Sequence, residues 1–424
     1  MSKLKTYKFS DLYTMSSGVS SKPEQAGHGN PFVSFKTVFN NYFLPDVLDD
    51  FMDISEKEEG IYSIKKGDIF LTRTSETLDE LGMSCVAIVD YPNSSFSGFL
   101  KRLRPKQNNI TYDKFMAFYL RSDLFRKTMS NNSIMTLRAS LNEQIFSYLE
   151  LVLPDYKVQK KSGDFLHAIN KKIEINNKIN LELEAMAKTL YDYWFIQFDF
   201  PYKKDKPYKS FGEKMVFNKE LKKNIPVDWE VKELNDVCDI YQSKTITGKQ
   251  MNINGKYLVY GSNGIIGRYD NYNHNHSEII VSCRGNCGNV LRTRPKSWIT
   301  GNSMVFKLYD PEIHNEFLYQ TLKWVNIKQV VTGSVQGQLT RSNVSSLKIL
   351  LPNKEILLKF SKSIEPIINK NLLVLKENDE LLKIREWLLP MLMNGQVTVS
   401  DENNFGKDEV LAMVAEPSAV YEKN

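Results

Sequence analysis

The residues of this chain that could bind a metal lie in one short stretch. Cys283 and Cys287 are separated by three residues, and His274 and His276 lie just upstream. Thiolates and imidazoles are ligands that zinc prefers, but zinc sites usually pair their ligands at tighter spacing. The first half of the chain has no similar cluster. We therefore interpret the cysteines as reduced thiols in a strand and a loop, with a zinc site as the alternative, and we predict no metal residues.

Motifs for catalytic chemistry are missing from the sequence. There is no Walker A motif, and neither half shows a glycine-rich turn after a buried strand in the βαβ rhythm of S-adenosylmethionine-dependent methyltransferases. Asn30-Pro31-Phe32 is similar to the Asn-Pro-Pro motif of amino-methyltransferases, but one proline is missing. The five histidines are dispersed, so no Ser/His/Asp or Cys/His arrangement can be proposed. We predict no catalytic residues.

Polar loops in the second half favour binding to nucleic acid. Residues 261–264 (GSNG) follow a short predicted strand, and residues 284–290 (RGNCGNV) follow another; a third polar loop covers residues 332–341. Glycine permits conformations that direct backbone N–H groups at a phosphate. Arginine, asparagine and glutamine can pair with base edges or phosphates. Simple hairpin turns are the alternative explanation of the glycine loops.

The candidate DNA-binding residues share a basic or polar side chain and lie in predicted loops or at strand ends. The net charge of +6 and the pI near 8.8 favour nucleic acid only mildly, so the clustering matters more than the total. A solvated surface explains any single cluster equally well. The candidates are Arg73, Lys101, Arg102, Arg104, Arg138, Lys244, Ser262, Asn263, Arg268, Arg284, Asn286, Asn289, Arg292, Gln338, Thr340 and Arg341.

Two long helical stretches must position these loops. Steps of four and three from Ile169 pick out a narrow apolar seam of a type that needs a partner helix. The same seam recurs 198 residues later, because Leu153-Pro154 corresponds to Leu351-Pro352. The seam residues are Ile169, Ile173, Asn180, Leu183, Leu190 in the first helix and Ile367, Val374, Asn378, Leu381, Leu388 in the second. If the helices are antiparallel, Asn180 and Asn378 could meet; alternatively both face water.

The repeat extends upstream of the helices. Residues 147–154 match residues 345–352 at the same offset of 198. Near the starts, Leu12 matches Leu234, an offset of 222, which gives the first copy a net insertion of 24 residues. Residues 115–126 have helical periodicity and match the helix predicted from Glu316 to Trp324. The sequence therefore predicts an α+β protein in which two related globules alternate with two long helices.

The predicted domains follow from this repeat. The hydrophobic content of 42% and charged content of 25% are those of a globular protein, and no apolar run is long enough to span a membrane. With no secretion signal, we expect a cytoplasmic location. The domains are 1–154 (first globule), 155–200 (central helix), 201–227 (polar linker), 228–352 (second globule), 353–397 (C-terminal helix) and 398–424 (acidic tail, expected to be disordered).

This pattern resembles the specificity subunit of type I restriction-modification systems. The resemblance covers roughly residues 1–397. The matching features, in order, are Leu153-Pro154, the helix end Leu190-Tyr191-Asp192-Tyr193-Trp194-Phe195, Ile225-Pro226 with Trp229, residues 260–264 (YGSNG), residues 284–290 (RGNCGNV) and Leu351-Pro352. The first globule lacks a clear YGSNG loop, which leaves its DNA-contacting residues less defined.

The resemblance implies two target-recognition domains, separated by two long antiparallel coiled-coil helices in a pseudo-two-fold repeat. It implies a non-catalytic chain that binds double-stranded DNA with a bipartite site and assembles with two methyltransferase subunits and with restriction (nuclease/translocase) subunits. No cofactor is expected in this chain, and S-adenosylmethionine is expected in the methyltransferase subunits. A helix of about 40 residues spans about 60 Å, which would place half-sites about one to two turns of DNA apart. Tyr191, Trp194 and Phe195 are the expected contacts to a partner subunit.

A protein–protein scaffold is the alternative function. In that case the globules would bind proteins and the helices would be a spacer. Basic loops favour DNA, whereas exposed apolar patches on the globules would favour the scaffold. A nuclease or methyltransferase in its own right is disfavoured because the motifs are missing.

Overall fold

The computed structural model describes residues 4–20, 22–75, 81–132, 134–135, 139–140, 143–333 and 337–399. The chain divides into two compact units. Unit 1 contains residues 1–174 and 379–424, and unit 2 contains residues 175–378. Each unit therefore holds one globule and one half of each long helix. The candidate Arg138 and the acidic tail from residue 400 onward lie outside the described residues.

The elements of the first globule alternate short strands and helices. The strands are β1 (Lys5–Lys8), β2 (Tyr13–Ser17), β3 (Ala26–Val33), β4 (Asp50–Met52), β5 (Ile69–Thr72), β6 (Thr74–Ser75), β7 (Ser84–Val86), β8 (Ser95–Phe96), β9 (Leu100–Pro105), β10 (Ile134–Met135), β11 (Ala139–Ser140) and β12 (Glu150–Leu153). The helices are α1 (Phe9–Leu12), α2 (Phe35–Asn40), α3 (Glu56–Tyr62), α4 (Asp113–Tyr119), α5 (Asp123–Asn132) and α6 (Glu143–Tyr148).

The second globule and the long helices complete the chain. The strands are β13 (Met215–Asn218), β14 (Lys223–Pro226), β15 (Glu230–Glu233), β16 (Cys238–Gln242), β17 (Tyr257–Gly261), β18 (Gly264–Tyr269), β19 (Ile279–Ser282), β20 (Val290–Arg292), β21 (Trp298–Ile299), β22 (Ser303–Leu308) and β23 (Lys348–Leu351). The helices are α7 (Tyr156–Tyr191), α8 (Leu234–Val237), α9 (Asn315–Trp324), α10 (Arg341–Ser345) and α11 (Lys354–Met393).

The two globules have the same sheet topology. In unit 1 the main sheet has the strand order β2-β9-β5-β7, and in unit 2 it has the order β16-β22-β19-β20. A smaller sheet joins one antiparallel and one parallel neighbour around β3 in unit 1 and around β17 in unit 2. The first strand of each globule pairs with its last, β1 with β12 and β15 with β23. The internal repeat is therefore a repeat of topology as well as of sequence.

The structure corrects the register of the repeat near its start. The Phe9 N–H donates to the Leu149 carbonyl at 2.9 Å, and the Leu234 N–H donates to the Leu347 carbonyl at 2.9 Å. Phe9 therefore corresponds to Leu234, an offset of 225, whereas Leu149 corresponds to Leu347, an offset of 198. The net insertion in the first globule is the difference, 27 residues rather than 24. This helical turn has two apolar residues three positions apart in each copy. Matching Leu12 to Leu234 was wrong because it joined the second apolar residue of one copy to the first of the other.

A strand buried on both faces forms the centre of each main sheet. In β5, Ile69 and Leu71 belong to the core beneath α4, while Phe70 faces a second core with Phe96. In β19 of unit 2 the neighbouring residues divide between two cores in the same way. A strand with both faces covered has a continuous apolar run instead of alternation. This explains the sequences IFLT and IIVS.

The helix predicted over residues 115–126 is two helices. Helix α4 ends at Tyr119 and α5 begins at Asp123. The break is stabilised by Ser122, whose hydroxyl donates to the Tyr119 carbonyl at 2.6 Å and accepts from the Phe125 N–H at 3.5 Å. A serine that bonds to nearby backbone groups competes with helix continuation. Periodicity alone did not reveal this break.

Both long helices are present, and they run antiparallel. Helix α7 has 36 residues and continues as a π turn over Asp192–Ile196, and α11 has 40 residues. At 1.5 Å per residue they are about 54 and 60 Å long. In unit 2 Asn176 pairs with Asn378 and Asn180 with Asn371, so numbers rise in one helix as they fall in the other.

Half of the ten seam residues are buried, and the other half are half-buried. Those with less than a tenth of their surface exposed are Ile169, Ile173, Asn180, Val374 and Asn378. Leu183, Leu190, Ile367, Leu381 and Leu388 are half-buried. Towards the end of α11, Leu389 and Leu392 are buried because they pack in the core of unit 1.

A layer of asparagines crosses the helix pair in unit 2. The Asn176 amide donates to the Asn378 oxygen at 2.9 Å and to Glu377 at 2.8 Å. The Asn371 amide donates to the Asn180 oxygen at 3.1 Å. Asn180 and Asn378 are therefore both buried, but each pairs with a different asparagine, not with the other. Of the two alternatives that the sequence left open for Asn180 and Asn378, the structure shows burial, and the stagger of the helices decides the pairs.

No helix in the described part of the chain is both long enough and apolar enough to cross a bilayer.

The asparagine layer predicts energetic coupling between the helices. In Asn176→Leu, Asn378 loses its buried donor, which we expect to lower the free energy of unfolding by about 1–3 kcal/mol. Leucine at both positions 176 and 378 should cost less than the sum of the single changes, by about 1 kcal/mol. Urea unfolding of the full chain, followed by tryptophan fluorescence, measures this cycle. Additive single changes would show that the pair contributes nothing specific.

Candidate nucleic-acid interface

The first glycine loop of unit 2 is joined to the end of the central strand. The hydroxyl of Ser282, the last residue of β19, donates to the Ser262 carbonyl, and the Ser262 hydroxyl donates to the Asn302 carbonyl at 3.0 Å. The Cys283 N–H donates to the same Asn302 carbonyl at 3.1 Å. The β17–β18 turn and the loop after β19 therefore lie side by side.

The third polar loop pairs with the second. Arg284 forms an isolated antiparallel bridge with Gln338, and the Leu339 N–H donates to the Cys283 carbonyl at 3.1 Å. The Cys287 thiol donates to the Gly337 carbonyl at 2.9 Å. Three loops that are far apart in sequence thus meet at one edge of unit 2.

Lys244 lies at this edge as well. The Trp298 indole N–H donates to the Lys244 carbonyl at 3.0 Å, and the Gly301 N–H donates to the Thr245 hydroxyl at 3.2 Å. The Gln242 amide donates to the Gly301 carbonyl at 2.9 Å. These bonds connect the segment after β16 to the residues next to Asn302. The side chain of Lys244 itself is exposed.

The exposed polar side chains at this edge form the candidate interface of unit 2. Within the described part of the chain, they have no hydrogen-bond or ion-pair partner that would hold them. They are Lys244, Asn263, Arg284, Asn286 and Gln338. Gly264 and Gly285 have φ of +102° and +72°, and a Cβ at either would meet only open space. The edge therefore offers arginine and amide side chains together with accessible backbone, which suits both base edges and phosphates.

Several other candidates reach this edge with part of their side chain engaged. The Thr340 hydroxyl caps α10 by accepting from the Asn343 N–H at 3.3 Å. Arg341 lies 3.6 Å from Asp239, and both side chains are largely exposed. Ser262 and Asn289 are half-buried. These residues shape the edge, and Arg341 can leave its weak surface ion pair at little cost.

Unit 1 presents the same construction around Arg73. Arg73 directly follows β5 and is exposed, whereas Arg284 is the second residue after β19. The next residues, Thr74 and Ser75, pair with β11, which pairs with β10, in the same way that Arg284 bridges Gln338 and Gln338 bridges Thr332. The Arg73 N–H donates to the carbonyl of Phe99, whose ring is 66% exposed. The exposed Phe99 was not predicted, because an apolar residue in a sequence suggests core.

Three basic candidates in unit 1 are engaged in internal contacts, so their assignment to DNA is corrected. Arg102 is buried, donates to the Ser63 carbonyl at 2.7 Å and lies over the Phe96 ring; burial lowers its pKa. Arg104 binds the fully buried Asp68 at 2.6 Å, and this bond raises the pKa of Arg104. Lys101 is buried and donates to the Ser17 hydroxyl at 2.7 Å.

Two candidates in unit 2 are also structural. Arg292 binds the buried Glu316, lies 3.5 Å from Glu184 and stacks on Tyr319. Arg268 is half-buried and donates to the Gly255 carbonyl at 3.3 Å. Charge alone predicted these residues as DNA contacts. The groups that bind these arginines, Glu316 and the Gly255 carbonyl, are more than ten residues away in sequence. The clustering of charged residues therefore does not reveal these contacts.

The expected partner contacts Tyr191, Trp194 and Phe195 are buried, so this prediction is wrong as to exposure. Each has 4% of its surface exposed. They pack in the core of unit 2 with Phe317, Phe360 and other aromatic rings. This cluster joins α7, α9 and α11. It stabilises unit 2 and is not open to another subunit.

The cysteines and histidines of the possible zinc site bond to other groups. The Cys283 thiol donates to the Asn302 carbonyl at 3.0 Å, and burial raises its pKa. His274 lies 3.0 Å from the Tyr241 hydroxyl. Among the described residues, no group of three His, Cys, Asp or Glu side chains is arranged to hold a metal.

A cavity beside the second loop adds residues that sequence analysis missed. Its volume is about 390 Å³, and Asn286 and Asn289 form one side of it. Lys323, Trp324 and Lys328 form the other, and Trp324 is 55% exposed. Residues 316–322 of α9 are all buried, so the sequence of this helix gives no sign that Trp324 at its end is exposed.

The chain is similar to specificity subunits of type I restriction enzymes. The MjaIX specificity subunit of a type I restriction enzyme from Methanocaldococcus jannaschii is 26% identical over 372 residues, 81% of each chain. The HindI specificity subunit from Haemophilus influenzae is 25% identical over an alignment of 440 residues, 86% of this chain and 94% of that one. The fold is similar to a type I S subunit from M. genitalium, with a TM-score of 0.58, 16% identity, and coverage of 92% and 96%.

The family comparison covers both globules. Residues 1–185 and 226–383 match the family described as the type I restriction modification DNA specificity domain, one match for each copy of the repeat. These segments include both central strands, both arginine loops and most of the long helices. The chain therefore belongs to the type I restriction modification DNA specificity domain family.

Proposed function

We propose that this chain is the DNA-recognition subunit of a type I restriction-modification complex. Each unit reads one part of a bipartite double-stranded target. The observation that carries the proposal is an exposed arginine just beyond the central strand of each unit: Arg73 is the first residue after β5, and Arg284 is the second residue after β19. Each follows the fully buried central strand, and its loop is tied by backbone bridges to the segment that precedes the next long helix. A reading side chain needs such a rigid support.

The chain contributes recognition and leaves the chemistry to its partners. Two methyltransferase subunits bring S-adenosylmethionine and modify adenine, and restriction subunits add the nuclease and translocase. This chain binds no cofactor of its own. The complex acts on chromosomal DNA in the cytoplasm. The family membership and the two repeated arginine loops support this division of roles.

The outer faces of the long helices are the surface proposed for the methyltransferase subunits. This surface replaces the buried aromatic cluster around Trp194. In unit 2 it includes Leu181 and Leu373, which are 69% and 63% exposed. In unit 1 it includes Ile384 and Trp387, which are 45% and 70% exposed. Large apolar side chains exposed on a helix whose opposite face is already packed are typical of a subunit interface.

Deleting the gene for this chain should erase one methylated motif from the host genome. We expect this motif to be split, with modified adenine in each half. Restoring the chain with Arg284→Ala should change the base sequence required in one half of the methylated motif and leave the other half unchanged, because Arg284 belongs to one unit. The measurement is genome-wide mapping of methylated adenine. A motif that survives the deletion would contradict the proposed function.

Arg284 and Arg292 form a matched pair for separating recognition from stability. Arg284→Gln should weaken binding to the target duplex by about 1–3 kcal/mol and leave the free energy of unfolding unchanged, because the side chain is exposed. Arg292→Gln should instead lower the unfolding free energy by about 3 kcal/mol, because the buried Glu316 loses its charge partner. Binding titrations and urea unfolding of both variants measure the two effects. The reverse assignment of the two effects would refute the proposed edge.

The instability of Arg292→Gln should grow as the pH rises. Burial raises the pKa of Glu316 from its ordinary 4.5, and Arg292 opposes that rise. Removing Arg292 therefore raises the pKa of Glu316 in the folded state further. A carboxyl whose pKa is higher in the folded state than in the unfolded state lowers the free energy of unfolding once the pH rises above its unfolded pKa. We expect little difference between variant and wild type near pH 4.5 and a larger one at neutral pH, measured as unfolding free energy against pH.

Trp387→Asp should abolish assembly with the methyltransferase subunits while the chain stays folded. Trp387 is largely exposed on α11, so the change costs the fold little. Tyr148→Asp is the matched control, since Tyr148 is 69% exposed in unit 1 but lies outside the helix pair. Co-purification and circular dichroism measure assembly and folding. Assembly that survives Trp387→Asp would count against the proposed surface.

A further inference from the structure

A lysine-rich hairpin in unit 2 lies in the segment that the family comparison leaves unmatched. The matched residues end at 185 and resume at 226. Residues 202–227 contain eight lysines and three acidic residues. The sequence predicted a polar linker here, but the structure has the paired strands β13 and β14. This segment is therefore a structured element.

Aromatic packing holds the hairpin in place. Phe200 stacks on Tyr208 and on Trp229, with ring centroids 4.7 and 5.2 Å apart. Ile225 in β14 is buried in the same cluster. At the turn, the Asn218 side chain accepts from the Glu220 and Leu221 N–H groups at 3.0 and 2.9 Å. The lysines around this turn are therefore presented from a rigid base.

The hairpin is continuous with the candidate DNA-reading loop. Lys223 lies over the Trp324 ring, 4.7 Å from its centroid. Trp324 lines the cavity of about 390 Å³ whose other side is Asn286 and Asn289. Gly288 faces Lys328, because a Cβ there would lie 3.5 Å from the Lys328 Cγ. A continuous surface thus leads from the loop after β19 across the cavity to the hairpin turn.

The free charges on this surface are positive. Lys219, Lys222, Lys323 and Lys328 are exposed, and no described carboxylate pairs with any of them. The nearest acid of the turn, Glu220, is already bound to Lys348 at 2.6 Å. The Lys323 ammonium lies 3.4 Å from the Tyr319 hydroxyl and 4.9 Å from the centroid of the Tyr319 ring. Four exposed ammonium groups along a surface that begins at a base-reading loop match the charge of a phosphate backbone.

We propose that these four lysines form a phosphate track, which holds the DNA backbone next to the bases read by unit 2. The inference rests on the proposed function and adds a division of labour within unit 2. The loop at Arg284 discriminates between sequences, and the track binds any sequence equally. Since lysine binds phosphate as a point charge, the track supplies affinity without specificity.

The test is the salt dependence of DNA binding by the full chain. In the variant with Lys219, Lys222, Lys323 and Lys328 all changed to Gln, the plot of log affinity against log salt should become shallower by about 2–4, since each phosphate contact contributes about 0.9. Affinity at physiological salt should fall by about tenfold or more. The ratio of affinities for target and non-target duplexes should stay at the wild-type value. Fluorescence anisotropy with both duplexes over a series of KCl concentrations measures all three quantities.

A control carries four exposed lysines from the long helices of unit 2, at positions 178, 359, 362 and 370, changed to Gln; of these, Lys359 is paired with Glu355 at 2.8 Å. It makes the same change in net charge and should keep the wild-type slope. An equal loss of slope in the control would overturn the track and indicate a general charge effect. A wild-type slope in the track variant, or a loss confined to assembly with the methyltransferase subunits, would overturn it too. A wild-type chain with no preference for its mapped target would instead contradict the proposed function.

Discussion

The central strand of each main sheet determines where the proposed DNA contacts lie. Because β5 and β19 are covered on both faces, their side chains cannot contact a ligand, and the chain becomes accessible only where each strand ends. The residues just beyond that point are Arg73 and Arg284. Bridges to the segment before the next long helix then prevent these loops from moving freely. Burial of the strand and exposure of the arginine are thus one arrangement, made twice.

In the helix pair, polar side chains are buried, whereas at the candidate interface they are exposed. The seam of the helix pair buries asparagines where leucines would bury more apolar area, so the pair gives up stability. In return, the amides pair across the helices at this stagger: Asn176 meets Asn378, and Asn180 meets Asn371. A sliding of one turn would break both pairs. The layer therefore fixes the register of the helices within unit 2, which a purely apolar seam would fix less well.

Sequence alone predicted the features that depend on local pattern or on the repeat. The two long helices and the two related globules follow from periodicity and from the offset of 198, and all are present. Residue roles that depend on a distant partner were predicted less well. Arg284 and Arg292 look alike in the sequence, yet Arg292 finds the buried Glu316 and Arg284 finds solvent. Trp194 and Trp387 have the same chemistry near two helix ends, but Trp194 is buried in the aromatic cluster of unit 2, against Phe360 of α11, whereas Trp387 is exposed.

The division of the basic side chains between buried and exposed positions explains how a chain with a net charge of only +6 can bind DNA. Several of its basic side chains stabilise the fold: Arg102 and Arg104 hold the first globule, and Arg292 holds the second. The remaining charge is concentrated by position. In unit 2 the exposed arginine loop opens onto a surface where four lysines have no described acidic partner. Because electrostatic binding depends on how many phosphates are neutralised together, a few lysines placed along one backbone contribute more than a larger charge spread over the surface.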